Sequence, residues 1–191
     1  MMLEIGSVST RWVALLRGIN VGGSNRLPMA DLREMLESIG LVGVRTHIQS
    51  GNVVFDVGPD SPLAHEADLS AAIADVVRRE ASLSVPVVVR RLAEIATIAE
   101  AHPDDGGDIP PNHLHVFVFD GPAAADAAPD EARFEPDRFT LGDREVYATY
   151  PNGSGRSKLT LDVFERAFDV TATARNLNTL RKIVALGAVD P

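Results

Sequence analysis

Two turns rich in glycine and asparagine carry the residues best suited to bind a ligand. Residues 17–25 read Arg-Gly-Ile-Asn-Val-Gly-Gly-Ser-Asn and follow a buried-type strand, and residues 49–52 read Gln-Ser-Gly-Asn and join two later strands. Glycine lets successive backbone N–H groups point at one anion, and asparagine tolerates the same left-handed backbone. The turns therefore predict a polar pocket for a small anionic or phosphorylated ligand.

The first turn has the glycine spacing of a phosphate-binding loop but lacks its chemistry. Gly18 and Gly23 fit the frame G-x-x-x-x-G, yet Ser24 and Asn25 follow where nucleotide-hydrolysing proteins carry lysine and then serine or threonine. The lysine for the phosphates and the hydroxyl for magnesium are both missing, which argues against a nucleoside triphosphatase. A purely architectural turn that needs positive φ angles is the alternative.

Two later junctions between a loop and a helix add positive charge. Residues 153–158 read Gly-Ser-Gly-Arg-Ser-Lys, and residues 171–176 read Thr-Ala-Thr-Ala-Arg-Asn. Helix N-termini favour anions, so we predict that these junctions supply charge and donors to the same ligand. The predicted ligand-binding set is Arg17, Gly18, Asn20, Gly22, Gly23, Ser50, Gly51, Asn52, Arg156, Lys158, Arg175 and Asn176.

No catalytic residue is indicated, and whether the protein is an enzyme stays open. The chain has no cysteine, which excludes thiol nucleophiles and cysteine zinc sites. His113 and His115 would face the same side of a strand, but no third metal ligand has convincing spacing. His47 fits a strand surface better than a general base. We therefore predict no metal and no cofactor, and any reaction would rest on electrostatic stabilisation.

Charge and composition limit the partners. The formal net charge of the 191 residues is −9, and aromatic residues make up 5%. An acidic chain is repelled by nucleic acid, and the first and third strands offer only Trp12 and Phe55 for stacking bases. No apolar run approaches a membrane span, and the first ten residues lack the pattern of a signal peptide. We predict no nucleic-acid or membrane partner and a cytoplasmic location.

The order of predicted elements specifies the first lobe. Strands over residues 11–17, 44–49, 52–57 and 85–90 alternate with helices from Pro28 to Gly40 and over residues 66–81. This β-α-β-β-α-β order is the ferredoxin-like, split βαβ arrangement. Right-handed crossovers place the first strand antiparallel to the third, which would bring the two turns together at one edge of the sheet.

The second half also reads as α+β. A helix over residues 92–101 precedes an acidic Pro/Gly loop, 103–111, and a strand follows at 114–119. A weak helix at 122–128, a hairpin over 139–150, a helix capped by Ser157 and a last helix capped by Asn176 complete it. We predict an α+β fold: a disordered tail at 1–10, a ferredoxin-like lobe at 11–102, and a second, smaller lobe at 112–191. No repeat is visible at the residue level.

Four motifs resemble a bacterial family classed only as a domain of unknown function, number 1697. They are V-A-L-L-R-G-I-N-V-G-G at 13–23, I-Q-S-G-N-V-V-F at 48–55, S-K-L-T at 157–160 and T-A-T-x-R-N-x-N-T at 171–179. Ser24 stands where members often carry lysine, and Leu177 where they often carry tryptophan. The resemblance implies an α+β fold with a ferredoxin-like part and no established activity.

Two functions remain open on the sequence. The working hypothesis is the binding of a small anionic or phosphorylated ligand at the turns. The alternative is a non-enzymatic, homo-oligomeric or protein-interaction module, such as a homodimer, in which the turns are only structural.

Overall fold

Two lobes, each built on a four-stranded antiparallel sheet, make up the protein in its computed structural model, which describes residues 11–23, 25–58 and 61–189. The tail expected at residues 1–10 lies outside the described residues. The α+β class and the two lobes expected from the sequence are confirmed.

The first lobe has the predicted order of elements. They are β1 (Arg11–Leu16), α1 (Met29–Ser38), β2 (Leu41–His47), β3 (Asn52–Val57), α2 (Glu66–Ala81) and β4 (Val87–Arg91). The strand order is β2-β3-β1-β4, with β1 antiparallel to both neighbours. Leu15 pairs with Asn52, so the end of β1 lies beside the start of β3, as the topology predicts.

The second lobe repeats this strand order. After α3 (Leu92–Glu100), its elements are β5 (Leu114–Phe119), β6 (Arg138–Leu141), β7 (Glu145–Thr149), α4 (Leu161–Phe168), β8 (Ala172–Asn176) and α5 (Leu177–Ala188). The sheet runs β6-β7-β5-β8. Two short 3-10 turns, Ala125–Ala127 and Glu131–Phe134, stand where the first lobe has α1. The two lobes thus share one sheet topology, although no repeat is visible at the residue level.

Three local expectations for the second lobe are wrong. The helix expected at 122–128 is only a 3-10 turn, because an alanine run between prolines offers no apolar stripe to bury. Ser157 does not cap α4: its Oγ accepts from Leu159 N at 2.8 Å, and the helix begins after Thr160. The loop expected at 171–176 contains β8, whose backbone pairs with β5. Strand formation there depends on the neighbouring strand, which local propensity does not reveal.

A shared core joins the lobes. One face of the first sheet packs on α1 and α2, through residues such as Trp12 and Leu16. The other face joins one cluster with the second sheet and with α3 and α5, which pack on each other. The fully buried members of this cluster include Val13, Leu15, Val54, Val88, Leu114, Val116, Val118, Ile95, Leu177, Leu180 and Ile183. The sheet face that a lone ferredoxin-like lobe leaves open is therefore covered. Among the described residues, no helix combines the length and the apolar character needed to cross a membrane.

Candidate functional site

The two predicted turns are neighbours and are joined by Asn20. Its Nδ2 donates to Leu27 O and to Gln49 O, both at 2.8 Å, and its Oδ1 accepts from Leu27 N at 2.9 Å. Asn20 has a φ of +55°, a left-handed conformation that asparagine tolerates. Its amide is fully used in closing the first turn and tying it to the second.

The second turn packs against the end of β1. Leu16 N donates to Gly51 O at 2.8 Å, and a Cβ on Gly51 would lie 2.8 Å from Leu16 Cβ, so only glycine fits. Asn52 is fully buried, and its Nδ2 donates to Ser50 Oγ at 3.0 Å and to His47 O at 3.2 Å. These polar groups hold the turn in shape.

Arg175 crosses from β8 to the same turn. All five of its N–H groups have acceptors in the protein. The acceptors are Asn52 Oδ1, Thr173 Oγ1 and the backbone oxygens of Leu16, Ser50 and Ala174. Burial lowers the pKa of Arg175 to about 10, so the side chain still carries its charge at neutral pH. Arg175 locks the lobes together and has no N–H group left for a ligand unless one of these bonds breaks.

The other predicted residues are spread over the molecule. Gly22 and Gly23 are exposed and have positive φ angles, and a Cβ added to either would meet open space in the described structure. Asn176 caps α5, as expected, by accepting from Thr179 N at 2.9 Å. Arg156 and Lys158 line a separate groove, which Arg17 does not line. Ligand binding by the predicted set stays a prediction.

A large cleft between the lobes lies where the first turn begins. Its volume is about 1240 Å³, large enough for a small-molecule ligand. We call it the interlobe cleft. One wall is the start of α2 and the edge strand β4, with Arg91. The other wall belongs to the second lobe and includes Arg144 and Glu165. Arg17 lines the cleft, and Arg17 N donates to Pro86 O at 2.9 Å, which fixes the first turn at its rim.

Three arginines give the cleft its donors. Arg17 Nη1 lies 2.5 Å from Glu165 Oε1, and Arg144 Nη2 lies 2.6 Å from Glu66 Oε2. Each pair uses one terminal nitrogen, and Nε and the other terminal nitrogen have no acceptor among the described residues. Arg91 stacks over Trp12, 4.5 Å from the ring centroid, and holds no carboxylate in the described part of the chain. The cleft is therefore lined by guanidinium N–H groups that have no acceptor among the described residues.

The N-terminus of α2 opens on the same cleft. His65 occupies its N-cap position, and no side chain of the described residues caps the helix. The first backbone N–H with a helical partner belongs to Leu69, which donates to His65 O. The backbone N–H groups that precede Leu69 in α2 therefore have no acceptor within the helix, and the positive end of the helix dipole lies at the same place. The carboxylates of Glu66 and Asp68 weaken the positive field there.

Sequence reasoning missed Arg91, Arg144 and His65. Arg144 sits in a hairpin turn and Arg91 ends a strand, places where charged residues are ordinary. Both are separated from Arg17 by more than seventy positions, so no short motif joins them. Arg17, Arg91 and His65 belong to the first lobe, and only the docking of the second lobe brings Arg144 to the same cleft.

The histidines do not form a metal site within the described residues, where no cluster of three or more metal-ligating side chains occurs. His102 is buried, its Nδ1 accepts from Asp104 N at 3.3 Å, and its Nε2 lies 3.3 Å from Ala148 O. Burial lowers the pKa of His102 and of His115, so both favour the neutral form. These are structural histidines of the second lobe.

Comparisons with known proteins support the fold and one family. The model of the family described as "Protein of unknown function (DUF1697)" matches residues 9–147. The solved structure of conserved bacterial protein SP0830 from Streptococcus pneumoniae is similar, with a TM-score of 0.69 and 23% identity over 93% of this chain and 98% of that chain. A search of curated proteins found no match. The chain therefore belongs to the DUF1697 family of proteins of unknown function.

Proposed function

We propose that the protein binds a small anionic or phosphorylated ligand in the interlobe cleft. The observation that carries the proposal is that Arg17, Arg91 and Arg144 all line one cleft, each with N–H groups that have no acceptor among the described residues, and that the open N-terminus of α2 faces the same cleft. Guanidinium groups and helix amides together match the oxygens of a phosphate or carboxylate. In this proposal the glycine turns serve mainly to position Arg17.

The charge balance of the cleft decides how such a ligand binds. Three carboxylates, Glu66, Asp120 and Glu165, formally balance the three arginines. Asp120 Oδ1 already accepts from Thr171 N at 2.8 Å, and each glutamate already holds one arginine. An anion would therefore add to these pairs, binding the free edge of a guanidinium group instead of displacing a glutamate. Arg91, which holds no carboxylate among the described residues, is the strongest candidate for direct contact.

A thermal-shift screen with phosphorylated metabolites and nucleotides tests the proposal. A ligand present at about 100 times its dissociation constant stabilises the fold by about 2.7 kcal/mol. For a chain of this length, each kcal/mol raises Tm by about 2–4 °C, so a hit is easily measured. If no compound in the panel raises Tm, the proposal is contradicted.

Variants then assign any hit to the cleft. Arg91→Gln removes the cation that holds no carboxylate, and we expect it to abolish most of the ligand-induced shift. Arg78→Gln is the matched control, because Arg78 lies on α2 but outside the cleft lining and is exposed. Equal ligand-induced shifts in both variants would move the site elsewhere.

A second candidate function rests on two exposed apolar side chains. Val21 is 60% exposed and lies in the first turn, and Ile48 is 54% exposed and directly precedes the second turn, which Asn20 joins to the first. Ile48 also has a φ of +50°, which is unfavourable for a β-branched residue. These features favour an interaction module with structural turns. Light scattering tests it: a stable homodimer that Ile48→Ser dissociates supports this candidate, and a monomer at all concentrations contradicts a homodimer.

A further inference from the structure

A second groove lies beside α4, separate from the interlobe cleft. Its volume is about 600 Å³. We call it the basic groove and define it by six of its lining residues, Arg133, Phe134, Lys158, Val163, Arg166 and Ala167. Three of the six are cations, and no acidic side chain of the described residues lines the groove. This is unusual in a chain with 27 acidic and 18 basic residues.

The sequence builds this groove from three segments. Val163, Arg166 and Ala167 are spaced i, i+3 and i+4 on α4, so they share one face of the helix. Phe164 and Phe168 of the same helix are buried in the core of the second lobe. Arg133 and Phe134 come from the 3-10 turn before β6, and Lys158 comes from the loop before α4. A rigid helix face therefore forms one wall.

The three cations are unneutralised. Arg166 Nε donates to Asp162 O at 2.9 Å, and neither terminal nitrogen has an acceptor among the described residues. Arg133, Lys158 and Arg166 form no ion pair within the described part of the chain, whereas Arg138, Arg144 and Arg181 each hold a carboxylate. Cations that share a groove without a counterion repel one another, and a bound anion relieves that repulsion. The groove thus has the charge of an anion site.

The remaining lining is apolar. Phe134 is only 8% exposed, and Val163 and Ala167 pack against the same cluster of buried aromatic residues. An adjoining groove shares Arg133, Phe134 and Lys158 and adds Arg156, but it also contains Glu135 and Asp137. The acid-free basic groove is therefore the better place for an anion, with an apolar surface beside its cations.

We propose that the basic groove binds an amphipathic anion, a phosphate monoester whose other half is an apolar ring or chain. The doubly charged phosphate matches two or three cations, and the planar guanidinium groups of Arg133 and Arg166 suit its oxygens. The apolar half lies against Phe134 and the α4 side chains, where burial removes its surface from water. The site is independent of the interlobe cleft, because α4 presents Glu165 to the cleft and Arg166 to the groove.

Calorimetric titration of the full chain with naphthyl phosphate at physiological ionic strength tests the proposal. We expect saturable binding of one molecule. Lys158→Ala and Arg166→Ala should each weaken it by about tenfold or more, the equivalent of losing one charge-assisted contact of about 1.4 kcal/mol. Lys182→Ala is the matched control, because Lys182 is an exposed cation on α5 outside the groove, and it should change the affinity less than about twofold.

Three further measurements decide between explanations. Arg91→Gln, which disables the proposed cleft site, should leave naphthyl phosphate binding unchanged, so the two proposals fail separately. Inorganic phosphate and neutral naphthol should both bind at least about tenfold more weakly, because each lacks one half of the ligand. Absence of saturable binding at millimolar probe overturns the proposal. An equal loss in Lys182→Ala also overturns it, and so does phosphate binding as tightly as its ester.

Discussion

Removal of Arg175 should uncouple the two lobes. The change Arg175→Ala deletes five hydrogen bonds at once and leaves their acceptors without donors. Three of those acceptors, Asn52 Oδ1, Leu16 O and Thr173 Oγ1, belong to residues with no exposed surface. The Thr173 hydroxyl can rotate to another partner, whereas water cannot easily replace the guanidinium at Asn52 Oδ1 and Leu16 O. No carboxylate of the described residues pairs with Arg175, so the loss is one of hydrogen bonds and packing.

The magnitude follows from these two enclosed acceptors. An unsatisfied buried polar group costs about 1–3 kcal/mol, so two give about 2–6 kcal/mol. Removing the arginine also removes the cost of burying its charge, which the lowered pKa of Arg175 reports. We therefore expect the free energy of unfolding to fall by about 2–4 kcal/mol. Arg175→Lys should cost less than Arg175→Ala, because an ammonium group can satisfy at most three of the acceptors.

Urea unfolding with two probes provides the assay. Trp12 is the only tryptophan and is buried in the first lobe, so its fluorescence reports that lobe, while far-UV circular dichroism reports both lobes. The two transitions should coincide in the wild type and separate in Arg175→Ala. Lys182→Ala, which removes an exposed cation on α5, should stay within about 0.5 kcal/mol of the wild type. Coincident transitions in Arg175→Ala, with less than about 1 kcal/mol lost, would refute the reasoning.

Two further predictions concern stability. Burial lowers the pKa of His102 below 6.5, so the unfolded chain binds a proton that the folded chain does not, and stability should fall as pH drops below about 6.5. His102→Gln should lessen the fall between about pH 7 and about pH 5, measured by urea midpoints, and an unchanged slope would contradict this origin. Gly51→Ala should destabilise by about 2–4 kcal/mol, because its Cβ would strike Leu16 in a left-handed backbone. Gly22 is the control position, because it has a similar φ but open space around it in the described structure. Gly22→Ala should lower the free energy of unfolding by only about 1 kcal/mol in the same urea assay. Equal losses of stability in the two variants would show that crowding against Leu16 plays no part.

The sequence determined the first lobe almost completely. Its apolar runs and turn residues have the periodicity of strands and helices, and a β-α-β-β-α-β order leaves few topologies because crossovers are right-handed. The neighbourhood of the two turns followed from that topology alone, and Leu15 does pair with Asn52. The role of Asn176 as the N-cap of α5 was also predictable, because an asparagine directly before an apolar helix is a local capping signal.

Tertiary structure decided the second lobe and the cleft. β8 forms because β5 offers it a partner, a long-range pairing that the alternating Thr-Ala-Thr-Ala sequence does not encode locally. The sequence predicts that Arg175 is a cation in a loop. In the structure the lobes dock around it, so its side chain is buried and donates five hydrogen bonds within the protein. Arg91 and Arg144 line one cleft only because the second lobe packs against β4. Local patterns fix elements, whereas the surfaces between lobes depend on contacts between residues far apart in the chain.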